Sequence, residues 1–356
     1  MNDKYIYSIG LMSGTSLDGL DIVYVKFHKK DYSDFEIIHS NTIKYSEFWE
    51  ARLKNSIHLD TELLSVLDYD YGQYLGNKTQ EFISKNKITS LDFIASHGHT
   101  VLHQPDKGIT FQVGDGQQIY NITKSTTVSD FRTQDVQLGG QGAPLVPIGD
   151  RILFSEYEAC LNLGGFANIS YEYGDKRIAF DICPVNIVMN YYCKKIGLDY
   201  DDKGVIASKG TVHEGLLEDL NSLDYYLKKP PKSLGLEWVC QFVYPLLDDY
   251  NLDVEDVLRT FIEHIAQQIS IIIHPFNNVL FTGGGVYNNF LLKRIQIHSN
   301  TQIILPLDDI INYKEALIFS LLGVLKIHDK INCLSSVTGA KINHSSGKIF
   351  NQNISD

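Results

Sequence analysis

Apolar and polar residues first organise into two short bursts. "YIYSIGL" (residues 5–11) is an apolar, aromatic run of strand type, "MSGTSLDG" (12–19) is rich in turn formers, and "LDIVYVKFH" (20–28) alternates like a second strand. The pattern predicts a strand, a glycine turn and a return strand. Near the middle the arrangement recurs: "EACLNLGG" as a buried strand, "GFAN" as a turn, "ISYEY" as the return strand, then "KRIAFDI" after Gly174-Asp175. Two such hairpins, each opening about half of the chain, predict an internal duplication into two similar α/β domains. The glycine-rich "VSDFRTQDVQLGGQGAPLVP" between them marks a crossing near residue 135. This gives a first domain over 1–134, joined by 326–356, and a second over 135–325.

Periodicity changes from two to about 3.6 in "DVEDVLRTFIEHIAQQISIIIH", which predicts one long core helix with Asp253 as its N-cap and Glu255 and Asp256 in its first turn. "NNVLFTGGGVYNNFLLKRI" reads as strand, triple-glycine turn and helix. "YKEALIFSLLGVLKI" reads as a final amphipathic helix, and the polar tail from about residue 335 as loosely ordered. A length of 356 residues fits two domains, and no apolar stretch approaches the ~20 residues of a membrane span.

Composition narrows the function. A net charge of −12 disfavours nucleic acid as a partner, because that binding relies on clustered Lys and Arg. Five scattered cysteines without a CxxC argue against a disulfide framework or a zinc site, and the start has no leader pattern, so the expected location is the cytoplasm.

Three glycine turns carry candidate chemistry. In the first, Gly14, Thr15, Ser16, Leu17, Asp18, Gly19, Leu20 and Asp21 combine close backbone approach with hydroxyl donors, as a phosphate-cradling turn needs. An acid there is compatible with phosphate when it positions a divalent cation, normally through water for Mg²⁺. An ordinary polar hairpin turn uses the same residues. The second turn, at Gly164 and Gly165, repeats the first one's place, and the third, at Gly283, Gly284 and Gly285, suits a nucleotide passing over a helix N-terminus. A strand-glycine-strand order excludes a Walker loop and a dinucleotide fingerprint, both of which lead into a helix.

Polar residues elsewhere suit a sugar derivative. His97 and His99 fall on one face of a putative strand, and Gln112, Asp115, Asp130 and Arg132 follow with hydroxyl-, amide- and carboxylate-binding groups. Solvated loop polars are the alternative. Asp181 follows the strand "RIAF" and precedes Pro184, placing it where a strand's carboxyl end meets a helix N-terminus. Two readings stand: a carboxylate that caps the helix, and a catalytic one. Asn186, one turn before Asn190, either lines the same crevice or faces solvent.

In order along the chain, "GLMSGTSLDGLD", "SHGHTVLHQP", "SDFRTQDVQLGGQGAPLVP", "NLGGFANIS", "FDICPVN", "PPKSLG" and "FTGGGVYNN" closely resemble the anhydro-N-acetylmuramic acid kinase family from about residue 6 to 325. The resemblance implies an α/β fold of two similar ribonuclease H-like domains of the actin/hexokinase type, with mixed sheets flanked by helices and a cleft between. It implies ATP and Mg²⁺ as cofactors, the metal near Asp18. The implied reaction opens 1,6-anhydro-N-acetylmuramic acid with water and phosphorylates its 6-oxygen, giving N-acetylmuramic acid 6-phosphate in cell-wall recycling. Asp181 takes the place of the family's catalytic base; Gly14 to Asp21, Gly164-Gly165 and Gly283 to Gly285 with Asn288 take the nucleotide sites. His97, Gln112, Asp115, Asp130, Arg132 and Asn186 take the sugar side. The resemblance also suggests a homodimer, which no stretch of the sequence demonstrates.

The chain departs from the family at Ile182-Cys183-Pro184-Val185, where Thr-Gly-Pro-Gly is usual, at His99, where Gln is usual, and at Leu236, where Arg is usual. A nucleotide-binding sugar sensor without turnover and an actin-like assembly protein are the rival classes. Loss of Asp181 or Asp18 would favour the first, and absence of a polar sugar cluster the second.

Overall fold

The computed structural model describes residues 4–14 and 17–352. The chain forms two compact units, one of Met1–Leu153 with Tyr313–Asp356 and one of Phe154–Asn312. Among the described residues the strands are β1 (Tyr5–Ser13), β2 (Leu20–His28), β3 (Asp31–Ile43), β4 (Phe93–Gln104), β5 (Ile109–Val113), β6 (Thr127–Ser129), β7 (Ala159–Leu163), β8 (Phe166–Tyr173), β9 (Lys176–Pro184), β10 (Asn278–Thr282), β11 (Gln302–Ile304) and β12 (Lys348–Phe350).

In the first unit β3, β2 and β1 pair antiparallel, and β4 and β6 continue parallel to β1. β12 adds antiparallel to β6, and β5 folds back on β4. In the second unit β9, β8 and β7 pair antiparallel, and β10 and β11 continue parallel. The two strand orders agree position by position. The duplicated hairpins are thus the opening strands of one repeated, ribonuclease H-like topology, with the mixed sheets that the family resemblance implies.

β2 lies inside its sheet, and its alternation is overridden by burial on both faces: Leu20, Ile22, Val23, Val25 and Phe27 are all fully buried. One face packs Ile9, Leu11 and Ile22 with Leu67, Tyr71 and Leu75 of the helix Thr61–Lys85. Over β1 runs the helix Asp308–Ile327, so close at Gly10 that any side chain there would overlap the Ala316 carbonyl. In the second unit the helix Val254–Ile273 buries Phe261, Ile265 and Ile269 beside Leu161 and Phe281. Each such burial is worth ~1.5–3 kcal/mol.

Four expectations change. The units divide after Leu153 and at Tyr313, so 135–153 and 313–325 belong to the first unit. Asp135 accepts hydrogen bonds from Gly142 and Thr338, and Lys314 pairs with Asp150 at 2.8 Å, which ties these segments there. The last long helix starts at Asp308 and is buried on nearly every side from Ala316 to Leu325 rather than amphipathic. The tail is ordered through Phe350: Asn332 bonds Ser346, and β12 joins the sheet. Asp253 occupies the N-cap position of its helix but its side chain makes no cap bond.

Candidate active site

The parallel strands of the first unit, β1, β4 and β6, end on one edge of the sheet, the usual ligand edge of such sheets. There the first glycine turn follows β1. Leu17 is held at φ +62°, a strained value for a branched side chain, and Leu17 N–H bonds the Gly14 carbonyl at 3.3 Å. Asp18 is exposed, and Gly19 and Leu20 are buried. Thr15 and Ser16 lie outside the described residues. Asp21 accepts the Thr42 hydroxyl at 2.6 Å, and burial raises its carboxyl to about 6, with Glu315 and Asp18 adding to the rise against the Thr42 bond.

Arg132, just after β6, reaches back to β4. Its Nε and one terminal nitrogen lie 3.0 and 2.8 Å from His97 Nε2, and the other donates to the Gly142 carbonyl at 2.6 Å. His97 Nε2 therefore accepts, and Nδ1–H donates to the Gly98 carbonyl at 2.9 Å. Burial and then Arg132 hold this imidazole well below its usual pKa, neutral at pH 7. Burial lowers the Arg132 guanidinium to about 10. His99 hydrogen-bonds Ser13, which bonds Tyr45 and through it Tyr71. Burial lowers His99 to about 4.

The remaining first-unit candidates are partly committed to the fold. Gln112 lies on β5 and donates to Thr110 at 2.9 Å. Asp115 caps the helix Gly116–Thr123, accepting Gln117 N–H at 2.9 Å. Asp130, at φ +56°, pairs with Lys348 at 2.8 Å.

In the second unit the ends of β7, β9 and β10 bring the other two turns together. Gly283 has φ +83°, and a Cβ there would fall 2.6 Å from Asn162 Oδ1 and 2.8 Å from the Leu163 carbonyl, so the third turn lies directly on the second. Gly284 faces open space. Asn186 begins the helix Asn186–Lys195, with its N–H on the Gly164 carbonyl at 3.3 Å and its side chain toward Leu163 O at 3.5 Å. Asn288 is buried and caps the helix Asn289–His298 through Leu291 N–H at 2.9 Å.

Asp181 lies inside β9, whose last residue is Pro184; the helix starts two residues later, with no side-chain cap. The helix-cap reading of Asp181 is therefore wrong, because the strand continues three residues past it. Its Oδ2 accepts Leu234 N–H at 2.8 Å, its N–H reaches Lys232 O at 3.3 Å, and its carbonyl accepts the Tyr225 hydroxyl at 2.6 Å. Burial raises the carboxyl above its usual range, outweighing the Leu234 bond. Behind it Ile182, Cys183 and Val185 are buried in the core, which accounts for the apolar departure.

Sequence reasoning missed Glu315, which directly precedes the buried apolar run Ala316–Leu325 of its helix. Crowding by protein raises its carboxyl, while Arg132 and Lys314 pull it down; its side chain still reaches solvent. It also missed Asp68, which accepts Gly114 N–H at 2.6 Å and is raised by burial to about 6.

The sequence profile of a family described as anhydro-N-acetylmuramic acid kinase matches residues 6–352. The chain is 33% identical to the anhydro-N-acetylmuramic acid kinase of Francisella tularensis subsp. novicida, over 95% of this chain and 97% of that protein. Against the protein of the same name from Zymomonas mobilis subsp. mobilis the figures are 32%, 96% and 99%. Against that of Bacillus thuringiensis subsp. konkukian they are 31%, 94% and 97%.

Proposed function

This chain belongs to the anhydro-N-acetylmuramic acid kinase family, and from that premise we propose a role for each group at the two strand edges. The activity is ATP-dependent phosphorylation of 1,6-anhydro-N-acetylmuramic acid with hydrolytic opening of the anhydro bridge, giving N-acetylmuramic acid 6-phosphate and ADP. The observation that carries the residue assignment is Asp181: a carboxylate with a raised pKa whose Oδ2 accepts Leu234 N–H, its own carbonyl held by the Tyr225 hydroxyl, on the strand that pairs with the one leaving the second glycine turn.

Asp181 takes a proton from water as the water oxygen bonds to the anomeric carbon. The bond from that carbon to the 6-oxygen breaks, and the freed 6-oxygen attacks the γ-phosphorus while ADP leaves. One proton is released overall. Leu234 N–H keeps Asp181 ionised enough to act, and burial keeps it basic enough to accept.

His97 is neutral with its Nε2 occupied by Arg132, so the pair presents guanidinium edge rather than imidazolium charge to the sugar. Gln112, Asp115, Asp130 and Asn186 complete the sugar contacts in this proposal. Gly14 to Asp21 and Gly164-Gly165 hold the phosphates, and Gly283 to Gly285 with Asn288 support the adenosine. The open face at Gly284 fits such a ligand. Asp18, exposed and close enough to Asp21 to raise its pKa, fits a Mg²⁺ held through water. A bound cation there offsets the charge that develops on the phosphate oxygens. A homodimer and a cytoplasmic location complete the reading, the first open to sedimentation.

The test is ADP release from purified protein with ATP, Mg²⁺ and the anhydro sugar, run in ¹⁸O-labelled water. The label belongs at the anomeric carbon. Turnover that ignores the sugar, or label in the phosphate, would overturn the assignment.

A further inference from the structure

Three metal-ligating side chains that the reaction does not use meet inside the first unit. Asp135 lies in the first turn of the helix Thr133–Gln137, and Cys333 faces His344 across an isolated antiparallel bridge. All three are buried, His344 at 6% exposure. Asp135 Oδ1 is 3.0 Å from Cys333 Sγ and 3.6 Å from His344 Nε2, and one ligand atom from each lies within 4.8 Å of the others.

The decisive group is His344. Its Nδ1 is 3.1 Å from the Ile342 carbonyl, which only accepts, so Nδ1 carries the proton. In the neutral ring Nε2 then offers a lone pair, and it has no hydrogen-bond partner among the described residues. That lone pair is turned toward a carboxylate oxygen. Buried polar atoms are almost always satisfied, and a cation satisfies an imidazole lone pair, a carboxylate and a sulfur together.

We infer that Asp135, Cys333 and His344 bind a divalent ion of borderline-soft character, zinc being the type. The nitrogen, sulfur and oxygen donor set selects such an ion over Mg²⁺ or Ca²⁺, which prefer oxygen alone. The Thr338 hydroxyl, 2.7 Å from the same Asp135 oxygen, stands next to the three as a further donor. On binding, the Cys333 thiol releases its proton to solvent, and thiolate and carboxylate match the ion's two charges. Burial and Asp135 otherwise hold that thiol protonated, and a coordinated ion reverses this balance.

The site reaches the sugar-binding groups through one chain of contacts. The other Asp135 oxygen accepts Gly142 N–H at 2.7 Å, and the Gly142 carbonyl accepts from Arg132 at 2.6 Å. The ion thereby braces the loop that holds Arg132.

The whole purified chain, loaded with zinc and passed into zinc-free buffer, should retain about one equivalent per chain by elemental analysis. Cys333→Ser and His344→Gln should each bring retention to background. Loading with Co²⁺ should give a thiolate-to-cobalt charge-transfer band in the unmutated protein, a readout that needs no variant to fold and no turnover. Absence of that band, or zinc retention unchanged in both variants, would overturn the site. The contacts then describe an imidazolium–carboxylate pair.

Discussion

The Leu234 N–H donates to Asp181 Oδ2 at 2.8 Å, linking the loop after the cis Pro230-Pro231 bond to the carboxylate on β9. One carboxylate oxygen is thus fixed by backbone. Replacing Asp181 with Asn leaves this acceptor geometry largely intact and removes only the basic site. We expect turnover to fall by ~10²–10⁴-fold, the usual contribution of a general base. Calorimetric ATP affinity should stay within a few-fold of wild type, and a matching loss of ATP binding would point to a structural role.

The direction of the Asp181 shift also fixes a pH limb. The base works ionised, and burial raises its pKa, so kcat/KM should fall as pH drops through a midpoint above the ordinary Asp value of ~3.9. A pH–rate profile with no acid limb above that value would move the base elsewhere.

Arg132 makes its contacts to His97 and Gly142 through three different nitrogens, which a single ammonium cannot reproduce. Arg132→Lys should raise the KM for the sugar by ~10–100-fold, in line with ~1.5–3 kcal/mol for charged hydrogen bonds. The KM for ATP should hardly move; equal effects on both would indicate collapse of the edge.

Asp21 predicts a stability change of opposite sign to most carboxylate mutations. Its folded pKa of about 6 lies above the unfolded value, so its favourable contribution is complete below that unfolded value and is lost as pH rises through about 6. Without nucleotide or divalent cation, Asp21→Asn should therefore stabilise the protein at pH 7.5, by ~1 kcal/mol after allowing for solvent screening. Urea unfolding at pH 4 and 7.5 measures it, and equal midpoints for the variant and wild type at the higher pH would refute it.

Glu263 gives the ordinary sign. Although burial alone would raise its carboxyl, bonds from Arg294, Arg259 and His298 bring it down to about 2. Its side chain is 6% exposed, which makes it a buried partner of two guanidinium groups. Glu263→Gln should cost ~3–5 kcal/mol in unfolding experiments, because both positive charges lose their counterion. In the wild type the stabilisation should persist at neutral pH and vanish as pH falls through about 2.

Local pattern revealed the hairpins, the long helix and the glycine turns because each is written in consecutive residues. β2 fell at its predicted residues, but its burial on both faces, and that of the helix at Asp308–Ile327, was not legible, since apolar residues on every side leave no pattern that reports which face is covered. Asp181 shows the same limit at the site. Its neighbours in sequence suggested a cap, whereas its partners Leu234 and Tyr225 lie over forty residues away. Glu315 and Asp68 left no motif, and their significance is set by Arg132 and Gly114, which only folding brings near. The tail read as loose because its order comes from pairing with β6 rather than from its own composition.

The second unit is one unbroken stretch, Phe154–Asn312, whereas the first waits for Tyr313 onward to supply the helix over β1 and the strand β12. A ribosome adding ~5–20 residues per second delivers a complete second unit while the first still lacks those pieces. The half synthesised first is the half finished last. Nascent chains stopped just beyond residue 312 would carry a protease-resistant inner segment behind an unfinished N-terminal sheet.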